Sequence, residues 1–200
     1  MDGGNRYERA FAAWLRYHQL SYLPVDESQR RAVQGQAVKN PDLLAYDRCG
    51  RGYVVDVKGR RFPGGSLDKP RRVWERWCTR QDCFSLLAWG QLLHVQSLLV
   101  FVYHLRQEPT QAWPNSWSDA WVWQGDTFAL CGIFAESYIQ HMRLRSPCWD
   151  TVSLSSEVFR TLAQPVSAIF GLRGSDELVS TGRVHSGTGG TFSGSDPASA

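Results

Sequence analysis

The stretch Pro41-Asp42-Leu43-Leu44-Ala45-Tyr46-Asp47-Arg48-Cys49-Gly50-Arg51-Gly52-Tyr53-Val54-Val55-Asp56-Val57-Lys58 decides how this chain is read. Two extended segments, Asp42–Tyr46 and Tyr53–Lys58, flank Asp47–Arg51, a run with turn chemistry. A hairpin centred on Cys49 sets Asp42 opposite Asp56. Side chains alternate along a strand, so Asp42, Leu44, Tyr46, Val54, Asp56 and Lys58 share one face. Opposed Cβ atoms lie roughly 5 Å apart. Two carboxylates that close repel each other. A divalent cation is the natural compensator, because Mg2+ takes carboxylate, water and phosphate oxygens. Lys58, two residues after Asp56, can neutralise the acids or orient a water. The chain has 19 Arg and three Lys, namely Lys39, Lys58 and Lys69, so a lysine here is informative. Arginine in its place stays protonated and shuttles protons poorly.

Upstream, residues 6–19 have helical periodicity, with Tyr7, Phe11, Trp14, Leu15 and His18 on one face. Glu8 falls at the shoulder of that face. A helix packed on the sheet face of Asp42 and Asp56 brings Glu8 to a shared metal. A first-turn glutamate equally suits the helix dipole. Ser21–Val25 is a short strand with Pro24 marking an edge, and residues 26–40 read as a loop or short helix. Downstream, residues 59–78 look irregular. Thr79 or Asp82 caps a helix running to about His94, and Ser97–Leu105 is a buried strand. Ala120–Leu130 reads as a hairpin turning at Gln124-Gly125-Asp126, Ile133–Met142 as a helix, Thr151–Leu154 as a strand and Ser156–Leu162 as a short helix.

The order helix, strand, strand, strand, helix, strand implies an α/β or α+β fold with a mixed sheet. Pro41-Asp42 followed by Asp56-Val57-Lys58 at the end of an apolar strand resembles the PD-(D/E)xK nuclease superfamily, which includes restriction endonucleases and Holliday junction resolvases. The resemblance covers about half the chain. It implies a restriction endonuclease-like αβββαβ core over residues 6–105. It also implies metal ligation by Asp42, Asp56 and the Val57 carbonyl, with Lys58 as the catalytic lysine. A glutamate on the first helix, here Glu8, recurs in the resolvase-like branch. Asp26 or Glu27 is the alternative acid. The implied cofactor is Mg2+ or Mn2+, the implied reaction is phosphodiester hydrolysis with DNA as the expected substrate, and a homodimer is compatible with the branch. Arg6-Tyr7-Glu8…Phe11 and Tyr22-Leu23-Pro24-Val25-Asp26-Glu27 also resemble an uncharacterised bacterial group of such proteins. The rival reading is a catalytically inactive nucleic-acid-binding or scaffold protein that keeps the fold.

Charge supports a polyanionic partner. Residues 1–80 hold 16 Lys and Arg against 9 Asp and Glu, whereas residues 81–200 hold 6 against 10. Arg60, Arg61, Lys69, Arg71 and Arg72 follow the acidic pair and are the candidate phosphate contacts. The five cysteines include no C-x-x-C pair, which argues against a zinc ribbon or disulfide scaffold. Met1–Arg9 lacks the apolar core of a signal peptide, and the longest apolar run, Leu98–Tyr103, is too short to span a bilayer. A cytoplasmic location is the resulting expectation. Trp113, Trp117, Trp121 and Trp123 read as anchors of core or loops, and Arg143 and Arg145 as the end of a helix. Residues 1–165 form one domain on this reading, with 106–165 accessory to the core and 166–200 a Gly/Ser-rich disordered tail.

Overall fold

The computed structural model describes residues 5–26, 31–33, 36–62, 64, 73–105 and 116–172. In chain order the elements are α1 (Arg6–Tyr17), β1 (Tyr22–Pro24), β2 (Arg31–Val33), β3 (Gln36–Val38), β4 (Leu43–Tyr46), β5 (Gly52–Arg61), β6 (Trp77–Thr79), α2 (Arg80–Leu93), β7 (Gln96–Leu105), β8 (Asp119–Trp123), β9 (Asp126–Phe134), α3 (Ala135–His141), β10 (Arg143–Ser146), β11 (Thr151–Ser153), α4 (Ser156–Leu162), β12 (Gln164–Pro165) and α5 (Val166–Ile169). The central sheet runs β1-β4-β5-β7-β9-β12, with β8 also paired to β9. Only the β5–β7 pair is parallel within it. The architecture is therefore mixed α/β, a mixed sheet flanked by helices. Its α1-β1-β4-β5-α2-β7 succession is the expected αβββαβ order, while β2, β3 and β6 lie outside the central sheet.

The hairpin register is the one read from sequence: Leu43 pairs with Val55, Leu44 with Val54 and Tyr46 with Gly52. Strand alternation then sorts the core into two layers. Leu43, Ala45, Tyr53, Val55 and Val57 pack against Phe11, Trp14 and Leu15 of α1. Val54, Leu99, Phe101 and Tyr103 face the other way, toward Cys83 and Leu86 of α2 and Phe159 of α4. Asp56 and Lys58 have the parity of Val54, so they lie in the α2 layer.

Several boundaries differ from expectation. Part of segment 26–40 is extended: β2 and β3 pair with each other. Strand β5 continues to Arg61 and β6 occupies 77–79, so segment 59–78 is not wholly irregular. Ile133 and Phe134 end β9, and α3 starts only at Ala135. Arg143 and Arg145 stand on β10, past the end of α3. The "accessory" strand β9 pairs with β7 from Leu98–Phe134 to Leu105–Thr127 and is integral to the sheet. The tail boundary is corrected as well. Residues 166–169 form α5, and Phe170 is buried against Phe11, Trp14 and Tyr53. Aromatic burial, not the Gly/Ser composition that begins just after, decides this segment. Residues 173–200 lie outside those described. Among the described residues no helix is long and apolar enough to cross a membrane.

Candidate active site

The site starts with what strand β5 does to Asp56 and Lys58. Both face the α2 layer and both are almost enclosed, with 4% and 10% of their side-chain surface exposed. Buried charges persist only when paired. Lys58 Nζ lies 2.5 Å from Asp56 Oδ2 and 2.9 Å from Asp82 Oδ2. A second ammonium closes the group: Lys39 Nζ lies 3.1 Å from Asp56 Oδ1 and 3.0 Å from Asp82 Oδ1. Two lysines and two aspartates thus alternate, each contacting both partners of opposite sign.

Local structure fixes every member. Asp82 is the third residue of α2. Its Oδ2 accepts the Thr79 N–H at 2.9 Å, and the Asp82 N–H donates to Thr79 Oγ1 at 3.0 Å, which makes a reciprocal capping box. One carboxylate therefore caps the helix and binds the lysines. Lys39 is clamped to α2 through its backbone: its N–H donates to Ser85 Oγ, and its carbonyl accepts the Trp89 indole N–H. Asp42, buried, stands one residue before β4. Its backbone N–H donates to the Val55 carbonyl, and its Oδ2 accepts the Val57 N–H at 2.6 Å.

These contacts also orient Val57. The Val55 carbonyl points toward β4, and Val57, two residues on, has the same parity. Strand β4 has ended at that level, and the side chain of Asp42 takes the Val57 N–H in place of a ladder partner. The Val57 carbonyl is directed to the same side.

Titration follows from the geometry. Burial lowers the proton affinity of Lys58 and Lys39, but the carboxylates of Asp56 and Asp82 outweigh it and raise both lysines above the ordinary value. Burial pushes the Asp82 carboxyl up, while the Lys58 and Lys39 ammoniums and the Thr79 N–H bring it well below the usual range. At neutral pH Lys58 is an ammonium: it can donate hydrogen bonds and stabilise negative charge, and it does not act as a base in this state.

The sequence expectations divide accordingly. Asp42, Asp56 and Lys58 are brought to one region with the predicted hairpin register. Glu8 is not brought to them. It lies on α1, which packs on the opposite layer, and its carboxylate accepts the Asn5 N–H to close the capping box at the helix start. Against the metal role the sequence sets a favourable helix-dipole position, and the structure adds the capping contact. Asp26 has its backbone carbonyl bonded to the Asn40 side chain, and Glu27 lies outside the described residues. Arg60 and Arg61 point to opposite faces of β5, so only Arg60 shares the site's layer. Lys69, Arg71 and Arg72 lie outside the described residues. Lys39 and Asp82 were not singled out as site residues by sequence. Their signals were present, one as a rare lysine just before Pro41-Asp42 and the other as the acid of a Thr-x-x-Asp cap, yet neither spacing reveals that Lys39 meets Asp56 or that Asp82 meets Lys58.

For a divalent cation the donor set is favourable in kind. Asp42, Asp56 and the Val57 carbonyl all offer oxygen. Asp56 Oδ2 is buried 2.5 Å from Lys58 Nζ, so a cation held there would share that oxygen with the ammonium. Among the described residues no three acidic, imidazole or thiol side chains converge on one point. The three-carboxylate set including Glu8 is therefore not formed, and the fit rests on two carboxylates and a carbonyl. A surface concavity of about 790 Å3, lined by Tyr46, Arg51, Gln91, His94 and Glu136 among others, lies at the other end of β5.

No family model matches this chain, and no curated protein matches it. Eight chains of solved structures do. One is Hjc, a Holliday junction resolvase of the archaeal hyperthermophile Archaeoglobus fulgidus, with a TM-score of 0.47 and 11% identity over 84% of this chain and 100% of that one.

Proposed function

We propose that the chain is a metal-dependent phosphodiester hydrolase of nucleic acid, with DNA as its substrate. The observation that carries this reading is the placement of Asp42, Asp56 and Lys58 around the end of β4, with Lys58 Nζ shared between Asp56 and Asp82. Asp42, Asp56 and the Val57 carbonyl would hold Mg2+ or Mn2+. When bound, such an ion polarises a phosphate and acidifies a water. In hydrolysis the water oxygen bonds to phosphorus, the bridging P–O bond breaks and the leaving oxygen takes a proton. Lys58, held charged, orients the attacking water and steadies the negative charge that builds on the phosphoryl oxygens. Asp82 and Lys39 are positioning residues, the first aiming Lys58 and the second balancing Asp56.

A second reading has its own observation. The alternating lysines and aspartates satisfy Asp56 without any metal, as a catalytically inactive nucleic-acid-binding protein would require. Nicking of supercoiled plasmid with Mg2+, Mn2+ or EDTA separates the two. The nuclease reading expects metal-dependent nicking that falls at least about a hundredfold in Asp56→Asn and Lys58→Met, with DNA binding kept. Binding without nicking in either metal sinks it in favour of the second.

A further inference from the structure

The three-stranded sheet β10-β11-β6 adjoins the site through β6, which runs directly into the Thr79–Asp82 cap. Arg143 pairs with Ser153 and Ser153 with Trp77, so these three form one rung, with the small serine between arginine and indole. One residue on, the register shifts between Leu144 and Ser146, and Arg145 is the extra residue. Such bulges re-aim a side chain. Here the Arg145 guanidinium reaches across β11 and stands 5.1 Å from the centre of the Trp77 ring. The ring has a second guanidinium beside it. Arg60 Cζ is 4.2 Å from it, and the Arg60 guanidinium donates to the carbonyls of Gly59 and Trp77. Arg60 is two residues beyond Lys58 on the same face of β5. A path of contacts thus leads from Arg60, on the strand that carries Lys58, through Trp77 to Arg145.

Arg60 is consumed by this path, since its side chain is largely enclosed. Arg143 and Arg145 are exposed on β10, and neither guanidinium is ion-paired or hydrogen-bonded among the described residues. Contact with an aromatic ring holds a guanidinium by its charge and leaves its N–H donors open. Open forked donors on a fixed base are suited to phosphate oxygens. Arg80, by contrast, is near Asp150 at 3.7 Å and is partly neutralised.

We propose that Arg143 and Arg145, the latter braced by Trp77, form a phosphodiester-binding face that holds a nucleic-acid strand where it passes the Asp56–Lys58 site. The location of the strand rests on the proposed function; the binding face does not. The test is binding of a fluorescein-labelled single-stranded DNA 20-mer to the full chain in EDTA, by anisotropy across a salt series. Arg143→Ala/Arg145→Ala should weaken binding about tenfold and flatten the salt slope by about one to two units, one contact per arginine. Arg80→Ala should change little. Equal affinity and slope in wild type and the double variant overturns the proposal, as does absence of binding by the wild type. Because EDTA removes any metal-dependent step, arginine-dependent binding without nicking activity sinks only the nuclease reading. Nicking with arginine-independent binding sinks only this face.

Discussion

Replacing Lys58 by methionine tests whether charge balance holds the buried group together. At an effective dielectric of about 20, an ammonium 2.5 and 2.9 Å from two carboxylate oxygens gains about 6 kcal/mol from each. Desolvation, and repulsion from Lys39, which shares both carboxylates, remove most of that gain. Breaking a buried pair still costs about 3 kcal/mol, because Lys39 alone cannot neutralise Asp56 and Asp82. For a chain of this size the loss lowers Tm by about 6–12 °C. Lys58→Met/Asp82→Asn removes one charge of each sign and leaves Lys39 paired with Asp56. The asparagine oxygen can still accept the Thr79 N–H. This double variant should return to within about 1 kcal/mol of wild type. The pH dependence has a fixed sign. Asp82 is held below its ordinary range in the wild type. Its contribution is therefore complete above about pH 4 and is lost as pH falls through the folded value. With Lys58 gone, the Asp82 carboxyl protonates more readily, so the deficit of the single variant is largest at neutral pH and shrinks toward pH 4. Urea unfolding in EDTA, followed by tryptophan fluorescence, reads all of this. The reasoning fails if Lys58→Met unfolds within about 0.5 kcal/mol of wild type, or if adding Asp82→Asn restores nothing.

Two further outcomes check the surroundings of the site. A Cβ on Gly59 would lie 2.1–2.8 Å from atoms of the Tyr7 ring. Gly59→Ala should therefore cost about 1–3 kcal/mol in urea unfolding, with much of the loss recovered in Tyr7→Ala/Gly59→Ala; a neutral single variant would show that the ring is not seated there. Cys49 and Cys148 are exposed while Cys78, Cys83 and Cys131 are buried. Thiol titration with an aromatic disulfide reagent should then count two fast groups in the native chain and five in guanidinium, and a third fast native thiol contradicts the packing around α2 and β9.

What the sequence made legible was local or periodic. The alternation of Asp42–Tyr46 and Tyr53–Lys58, with a short polar turn between, sufficed to fix the register, because a slip of one residue would turn Leu43, Val55 and Val57 out of the α1 layer. Gln124 and Gly125, both with positive φ, form the two-residue hairpin turn between β8 and β9. Glu8 was misplaced because amphipathicity says which side of a helix is buried and not which side of the sheet it covers. Lys39 and Asp82 were missed as partners because 43 residues separate them, and only the docking of α2 on β5 closes that distance. The tail was drawn too early because Phe170 belongs to an aromatic cluster whose other members, Phe11, Trp14 and Tyr53, are more than a hundred residues upstream.

The balance of charge at the site links its three parts. Asp56 and Asp82 are matched one for one by Lys39 and Lys58, so this buried group holds no spare positive charge for a substrate. A phosphodiester adds another negative charge. Positive charge for it has to come from outside this group, and two sources are proposed. One is the proposed divalent ion, which Asp42, Asp56 and the Val57 carbonyl would hold and which would bring two positive charges to the phosphate. The other is the pair Arg143 and Arg145, which lies outside the buried group and can bind a strand without disturbing it. The second can act alone in binding, but only the first delivers charge at the atoms that would react. On this chain, affinity for nucleic acid and cleavage of it should therefore respond to different residues.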